Sequence, residues 1–355
     1  MPPPITDHAF GPADEPHLRR AAAVATAARL HSSPNPWVGA VVVGVDGSTH
    51  VGHTAPPGGP HAERRALDAA GDAARGSTVY TTLEPCSHHG RTPPCTDALI
   101  AAGVSRVVIG TVDPDSDVAG VGIERLDAAG IATACAVGTT ADLVRAQLAP
   151  YLHHRRTGRP YVVLKMAATL DGRTAAPDGT SSWITGAEAR ADVHRVRAES
   201  DAVIVGAATI RVDDPALTVR DFHPSGPTER PDLHPRRIVL GAVPDGARVR
   251  PAETYDGDIT ALVERLGHDG VVQLLVEGGS TVAGEFHRAG LVDRYMVYVA
   301  PALLGGDDGL PVLGGSGVPT MGELWRGRMD RVRRLGADVC IEVVPADEPQ
   351  DEQAN

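Results

Sequence analysis

Two short segments, one ending at Glu63 and the other running from Cys86 to Cys95, constrain the fold of this chain more than any other feature. The first reads Pro-His-Ala-Glu. In the second, each of the two cysteines directly follows a proline, as Pro85-Cys86 and Pro94-Cys95. Together they supply one imidazole, from His61, two thiols and one carboxylate. One imidazole and two thiolates leave the fourth position of a tetrahedral zinc ion open, as in catalytic zinc sites. The fold must therefore bring the two segments to one point.

Glu63 is interpreted as a proton carrier rather than a metal ligand. A zinc ion held by three protein ligands lowers the pKa of its bound water to about 7. Side chains two residues apart on a helix point in different directions, so Glu63 and His61 suit different tasks. Glu63 can carry a proton from the water to a ring nitrogen and on to a leaving amine. A His-x-Glu followed by Pro-Cys is the pattern of zinc nucleobase deaminases, although here eight residues, rather than two, separate the cysteines.

The residues between the two cysteines are polar and cationic. His88 and Arg91 must lie near the metal, where they suit an anionic part of a substrate such as a sugar phosphate. A solvated loop is the alternative interpretation. Upstream, Asn35 precedes the apolar run 41–43 and is placed to hydrogen-bond a pyrimidine edge. An ordinary Asn-Pro turn would explain the same residue.

The length and the pattern of apolar residues predict two domains. A chain of 355 residues can form two domains, each with a core of its own. Alternating strand-like and helix-like stretches predict an α/β layered first domain with a largely parallel sheet. A polar stretch closed by Gly and Pro predicts a linker over 150–160. The predicted domains are then 1–149 and 161–345, followed by an acidic, disordered tail over 346–355.

Charge and cysteine usage exclude several classes of function. The net charge is −12 and neither half is basic, which argues against a nucleic-acid partner. The sequence contains no apolar run long enough to predict a membrane span. Two of the four cysteines are assigned to zinc, so no disulfide framework is expected and a cytoplasmic location is predicted.

Lys165 is the only lysine among 33 lysine and arginine residues. It lies in the strand-like run 161–168, where a buried ammonium can lose its proton whereas a guanidinium cannot. We expect Lys165 to contact a substrate and to transfer a proton, although a chance lysine at a strand edge is the alternative. Further along, an apolar strand leads into Gly278 and Gly279 and then a helix, an arrangement that can hold a phosphate. The spacing of these glycines does not match the dinucleotide motif of a Rossmann fold.

The motifs resemble those of one enzyme family. His61-Ala-Glu63, the run from Leu83 to Cys95 and Asp113-Pro114 are similar to the bifunctional pyrimidine deaminase/reductase of riboflavin biosynthesis, over about residues 17–343. The resemblance implies a cytidine-deaminase-like three-layer domain followed by a dihydrofolate-reductase-like α/β domain. It also implies zinc-dependent deamination of a diaminopyrimidinone ribosyl phosphate and then NADPH reduction of the ribosyl group to ribityl. A homodimer or homotetramer is implied as well.

The same resemblance assigns residues in the second half. It places one group of residues against NADPH: Ala167, Trp183, Thr209, Asp213, Gly278 and Gly279. It places a second group around the substrate: Ser181, Arg197, Leu217, Arg220 and Glu277. Where the family often has Asp-Ser, this chain has Gly241-Ala242, so one hydrogen bond to the cofactor would be missing.

Two other functions are compatible with the sequence. The zinc site could deaminate a free base or nucleoside while the second half reduces a different substrate; Arg91 and Arg220 favour a phosphorylated substrate instead. The chain could also be a zinc-stabilised binding protein. Glu63 and Lys165 argue against this, because a structural metal site needs no adjacent proton carrier.

Overall fold

The computed structural model describes residues 9–90, 92–115, 119–181, 184–220, 222, 224 and 232–346. The chain divides into two compact units, the first formed mainly by residues up to Gly158 and the second mainly by residues from Arg159 onward. Within the described residues, no helix is both long enough and apolar enough to span a membrane.

The first unit is built around one five-stranded sheet. Its elements are α1 (Glu15–Ala25), β1 (Gly39–Val43), β2 (Thr49–His53), α2 (Ala62–Ala70), β3 (Thr78–Thr81), α3 (Cys95–Ala102), β4 (Arg106–Ile109), α4 (Val121–Ala128), β5 (Ala132–Cys135) and α5 (Gly138–Thr157). The strand order is β2-β1-β3-β4-β5. Strands β3, β4 and β5 are parallel, whereas β1 is antiparallel to both of its neighbours.

The sheet is therefore mixed, and the expectation of a largely parallel sheet holds only for one side of it. The difference comes from β2, a short strand with the sequence Thr-His-Val-Gly-His that the apolar pattern does not mark. A short connection joins β1 to β2, and such connections produce antiparallel pairs.

Helix α2 lies very close to β2 because Gly52 has no side chain. A Cβ atom at Gly52 would lie 2.3 Å from the carbonyl oxygen of Ala62 and 2.5 Å from the backbone nitrogen of Ala66. Since Ala62 is the first residue of α2, this contact fixes the height of the helix start over the sheet. His61 and Glu63 lie on either side of Ala62, so the same contact positions both.

Helix α5 changes the predicted domain boundary. A linker was predicted over 150–160, but α5 continues through Pro150 to Thr157. Tyr151 and Leu152 are buried, and this packing stabilises the last turns despite their polar composition. The last helix before the second unit thus ends at Thr157, and the first strand of that unit begins at Tyr161.

The second unit contains an eight-stranded sheet and its covering helices. Its elements are β6 (Tyr161–Thr169), β7 (Arg173–Ala175), α6 (Ala187–Ala198), β8 (Ala202–Gly206), α7 (Ala207–Asp213), β9 (Arg236–Leu240), β10 (Glu253–Tyr255), α8 (Ile259–His268), β11 (Gln273–Val276), α9 (Ser280–Arg288), β12 (Arg294–Ala300), β13 (Leu310–Pro311), β14 (Gly327–Leu335) and β15 (Asp338–Pro345). The order of the large sheet is β10-β9-β8-β11-β6-β12-β15-β14, and β13 pairs with β7 separately.

Strands β10 to β12 run parallel to one another in the large sheet, whereas β15 is antiparallel to both of its neighbours, β12 and β14. Its core is aliphatic, with Leu164, Ile204 and Leu274 completely buried. Strand β6 lies inside this sheet, and after Leu164 one of its faces is buried and the other is partly exposed. Met166 and Ala168 are buried, whereas Lys165, Ala167 and Thr169 are partly exposed, as strand alternation requires.

Candidate active sites in the two units

The first unit brings His61, Cys86 and Cys95 together. His61 directly precedes α2, Cys86 follows β3 in the loop, and Cys95 is the first residue of α3. His61 Nδ1 lies 3.6 Å from Cys86 Sγ and 3.3 Å from Cys95 Sγ. All three ligand atoms lie within 4.8 Å of one another. Bonds of about 2.0 Å to nitrogen and 2.3 Å to sulfur give tetrahedral ligands separations of about 3.5–3.8 Å, so this set fits a zinc ion.

The two sulfur atoms differ in their tendency to lose a proton. A hydrogen bond from the Cys95 thiol lowers the pKa of Cys86, while the same contact and burial raise the pKa of Cys95. The Cys95 backbone N–H also points at Cys86 Sγ, at 3.4 Å. Cys86 thus loses its proton more readily than Cys95. A divalent cation bound to both sulfur atoms would favour the thiolate form of both, which is the chemistry expected of this donor set.

Glu63 lies beside the cluster and is only 3% exposed. Its Oε2 accepts a hydrogen bond from Cys95 Sγ at 3.4 Å. Burial raises the pKa of the Glu63 carboxyl, although the nearby His61 imidazole acts in the opposite direction. A carboxyl group with a raised pKa can exchange a proton near neutral pH, as general acid–base catalysis requires.

A cleft of about 330 Å³ opens onto these residues. Asn35 and His88, both predicted to contact the substrate, line this cleft. Arg91 lies outside the described residues. Thr92 also lines the cleft, and its Oγ1 is 3.3 Å from His61 Nε2, on the side of the ring opposite the sulfur atoms.

Glu84, Asp113 and Tyr151, which were given no individual role from sequence, also line the cleft. Glu84 accepts backbone N–H groups from four residues: Asp113, Gly120, Gly122 and Ile123, at 2.9–3.4 Å. The Tyr151 hydroxyl donates to Asp113 Oδ2 at 3.0 Å. Glu84 and Asp113 both lie in motifs that carry the family resemblance, but a carboxylate held by backbone amides has no recognisable sequence pattern of its own.

In the second unit, charged side chains gather around Lys165. Glu277, Arg197 and Asp213 are its electrostatic neighbours. Burial is the main influence on Lys165 and lowers the pKa of its ammonium, whereas the Glu277 carboxylate acts in the opposite direction. A lysine with a lowered pKa can release a proton more readily than an exposed one.

Arg197 and Glu277 form a buried ion pair. Arg197 Nε and Nη2 donate to the two Glu277 oxygens at 2.8 and 2.9 Å, and Nη1 donates to the carbonyl oxygen of Thr218 at 2.6 Å. Arg197 is 7% exposed. With these donors occupied, Arg197 has no free pair of N–H groups for a phosphate. This arrangement supports a role for Arg197 in positioning Glu277, and its predicted contact with the substrate stays a prediction.

The loop from Leu217 to Arg220 is attached to the same ion pair. His194 Nδ1 accepts the backbone N–H of Arg220 at 3.1 Å and lies 3.2 Å from Arg197 Nη1. Leu217 is buried and has φ of 51°, which is unusual for a residue with a side chain. The predicted substrate residues Leu217 and Arg220 thus belong to one anchored segment.

The residues predicted to contact the cofactor form smaller groups. Ser181 Oγ donates to Asp213 at 3.2 Å. A Cβ atom at Gly279 would lie 3.3 Å from Thr209 Oγ1, so these two positions are adjacent. A Cβ atom at Gly278 would lie 2.5 Å from Val282 Cβ, so glycine is needed there for packing of α9.

The remaining cofactor predictions concern β6 and two loops. Ala167 lies on the same partly exposed face of β6 as Lys165. Trp183 lies outside the described residues. Gly241 has φ of 102°, and an added Cβ would meet the Ala207 side chain at 3.0 Å, so this backbone disfavours the aspartate often found in the family.

The fold and the site define a class of protein: a zinc-dependent deaminase domain followed by a reductase domain. Residues 12–111 match the cytidine and deoxycytidylate deaminase zinc-binding region, and residues 160–341 match the RibD C-terminal domain. The chain belongs to the RibD family of riboflavin biosynthesis proteins.

Similarity to members of that family extends over most of the chain. The chain is 39% identical to RibD of Escherichia coli, over 94% of this chain and 100% of that protein. It is 42% identical to RibD of Mycobacterium tuberculosis, over 88% of this chain and 91% of that protein. The structure of Acinetobacter baumannii RibD superposes with a TM-score of 0.86 at 35% identity, covering 94% of this chain and 99% of that one.

A Thermotoga maritima structure, described as a diaminohydroxyphosphoribosylaminopyrimidine deaminase/5-amino-6-(5-phosphoribosylamino)uracil reductase, has a TM-score of 0.81 and 32% identity. It covers 94% of this chain and 98% of that one. The predicted family and the two-domain fold class are confirmed. The protein is a bifunctional enzyme that uses zinc in its deaminase domain and NADPH in its reductase domain.

Proposed function

We propose that this enzyme catalyses two consecutive steps on one phosphorylated pyrimidine. The first is hydrolytic deamination of 2,5-diamino-6-(5-phosphoribosylamino)pyrimidin-4-one to 5-amino-6-(5-phosphoribosylamino)uracil. The second is NADPH reduction of the ribosyl group of that uracil to ribityl. The observation that carries the proposal is the cluster of His61, Cys86 and Cys95 with Glu63 beside it, in the same chain as a RibD C-terminal domain.

In the deaminase cleft, His61, Cys86 and Cys95 would hold zinc, which when bound supplies an acidified water molecule. Glu63 accepts a proton at its carboxylate and delivers it to the ring nitrogen next to the carbon under attack. Glu63 then accepts the proton of the newly attached hydroxyl group and delivers it to the departing amine, so that ammonia leaves and a carbonyl group remains. Because Glu63 is buried, its proton is protected from exchange with bulk water.

Asn35 and His88 would orient the substrate in the same cleft. Asn35 offers an amide to the pyrimidine edge, and both residues line the cavity into which the cluster opens. Its volume of about 330 Å³ is within the range of small-molecule sites.

In the reductase domain, Lys165 is proposed to handle the proton while NADPH supplies the hydride. Opening of the ribose ring gives an imine, whose C1 accepts hydride from the nicotinamide and whose nitrogen accepts a proton. Lys165 can hold that proton at Nζ, and Glu277 stabilises its charged form. Arg197 keeps Glu277 in place through their ion pair. Ala167, Thr209, Asp213, Ser181 and the glycine pair remain proposed cofactor and substrate contacts.

The test of this function follows ammonia release and NADPH absorbance together, with the zinc-loaded protein and the diaminopyrimidinone ribosyl phosphate. Ammonia release that precedes NADPH consumption would support both steps and their order. The dephosphorylated nucleoside serves as the control substrate. Equal rates on both substrates would favour a nucleoside deaminase, and absence of both signals in zinc-loaded protein would exclude the proposed substrate.

A homodimer or homotetramer is also proposed, through the edge of the large sheet. Strand β14 lies at that edge, and the side chains of Met329 and Val332 are 61% and 54% exposed. Exposed apolar side chains on an unpaired edge strand favour pairing with a second chain. Light scattering should show a mass above one chain for the natural protein and a smaller mass for Met329→Glu. A cytoplasmic location stays a prediction, resting on the use of the cysteines.

A further inference from the structure

His61 has both of its ring nitrogens in defined environments. Nδ1 faces Cys86 Sγ and Cys95 Sγ at 3.6 and 3.3 Å, whereas Nε2 lies 3.3 Å from the hydroxyl oxygen of Thr92. A histidine that binds a metal through one nitrogen carries its proton on the other nitrogen. The group that accepts that proton fixes both the tautomer and the orientation of the ring.

We propose that Thr92 is a positioning residue for the zinc site. Its hydroxyl oxygen accepts the N–H of His61 Nε2 and so holds the lone pair of Nδ1 toward the two sulfur atoms. The inference rests on the zinc-dependent deaminase function but adds a role for a residue that neither the ligand set nor the proposed mechanism uses. It also gives a function to the eight residues that separate Cys86 from Cys95.

The ends of this insert are held firmly, which allows Thr92 to keep its position. Arg125 Nη1 donates to the carbonyl oxygen of Ser87 at 3.2 Å. At the other end, the backbone N–H and the hydroxyl of Thr96 donate to the carbonyl oxygen of Cys86 at 3.2 and 3.3 Å. The chain between these anchors is long enough to carry Thr92 to the far side of the imidazole from the sulfur atoms.

The chemistry of the acceptor suits the charge of the site. Cys86 and Cys95 as thiolates already balance a divalent zinc ion, and Glu63 lies close by. A carboxylate is a frequent acceptor for the second nitrogen of a zinc-bound histidine. Here it would add another negative charge beside Glu63. The neutral hydroxyl of Thr92 orients the ring without changing the charge of the site.

The test compares zinc affinity in Thr92→Val, Thr92→Ser and the natural protein, by competition with a chromophoric chelator. Valine keeps the shape of threonine but removes the acceptor, and we expect its zinc affinity to fall about 10- to 100-fold. Serine restores the hydroxyl and should restore affinity to within about threefold of the natural protein. Thr133→Val is the matched control, because the Thr133 hydroxyl donates to Asp127 at the surface.

Two results would overturn the proposal. Natural affinity in Thr92→Val would show that the hydroxyl does not orient the ligand. A larger loss in the serine variant than in the valine variant would show that the Thr92 methyl group, which valine keeps and serine lacks, supports the site instead. NADPH reduction of the uracil intermediate, measured on the same samples, verifies that the reductase unit is folded, and circular dichroism of each variant checks the fold of the whole chain. Failure of the natural protein to bind zinc would contradict the deaminase proposal itself, which distinguishes the two failures.

Discussion

Lys165 and Glu277 are neighbours because their strands are paired in register. Leu164 on β6 pairs with Val276 on β11. Because the two strands are parallel, the next residues, Lys165 and Glu277, also lie side by side. Lys165 belongs to the buried sheet, whereas Glu277 begins the loop toward α9. Burial and the Glu277 carboxylate act on the pKa of Lys165 in opposite directions. The pairing of β6 with β11 thus places the carboxylate that acts on the pKa of the Lys165 ammonium.

Replacement of Lys165 by arginine should keep the positive charge at this position but prevent proton transfer from it. We expect Lys165→Arg to keep the fold and the deaminase activity but to lose about 100-fold or more in NADPH consumption, since a guanidinium does not release its proton. Steady-state rates with the uracil intermediate measure the change, and circular dichroism checks the fold. A reductase rate near that of the natural protein would remove Lys165 from the mechanism.

Glu63→Gln should abolish proton transfer without removing zinc. The amide keeps the size of the side chain but cannot carry a proton, so ammonia release should fall about 100- to 10,000-fold. Metal analysis should still find zinc, because His61, Cys86 and Cys95 are unchanged. Reduction of the uracil intermediate should continue at its normal rate. A fully active deaminase would show that Glu63 is not the proton carrier.

Cys86→Ser should remove zinc binding, and the chain offers Cys135→Ser as a control. Cys86 belongs to the ligand cluster, whereas Cys135 is an exposed free cysteine at the end of β5. Elemental analysis should find close to one zinc per chain in the control and much less in the Cys86 variant. Ammonia release should follow the metal content. Equal zinc in the two variants would contradict the proposed ligand set.

Asp192 should make the second unit sensitive to acid. Burial acts to raise its pKa, but hydrogen bonds from Arg333, at 2.9 and 2.7 Å, and the charge of Arg195 lower the pKa well below the ordinary value of 3.8. Because the folded-state pKa is lowered, this stabilisation is fully present above the ordinary value. It is lost as the pH falls toward the lowered one.

Asp192→Asn should therefore lower the free energy of unfolding by about 2–3 kcal/mol at neutral pH. The difference from the natural protein should shrink as the pH drops below the ordinary value of the aspartate pKa. Denaturant titrations across that range measure it. Asp142→Asn is the control, since Asp142 is 68% exposed and its ion pair with Arg145 should contribute little. A difference that is independent of pH would contradict the assignment.

The metal site could be predicted from sequence because metal chemistry restricts the residues that can form it. Imidazole and thiolate ligands with a nearby carboxylate leave few alternatives, and the structure places His61, Cys86 and Cys95 within bonding range of one ion. The parallel core of the second unit was also visible, since continuous apolar runs such as 161–168 and 271–276 mark buried strands.

Other features depend on contacts between distant parts of the chain. The ion pair of Arg197 with Glu277 joins residues 80 positions apart in the sequence, so no local pattern predicts it. Tyr151 and Leu152 looked like part of a linker because their neighbours are polar, but their burial makes them the end of a helix. Patterns in a single sequence report local composition. The conformation and contacts of these residues depend instead on partners that are distant in the sequence.

Because the sequence contains a single lysine, Lys165 can be modified selectively with amine-reactive reagents. Reagents that acylate or reductively alkylate amines can modify only the Lys165 side chain and the terminal amino group of this sequence. The lowered pKa increases the fraction of unprotonated, nucleophilic amine at a given pH. Isotope-labelled methyl groups introduced at that one amine would give a spectroscopic signal from the reductase centre, without any mutation.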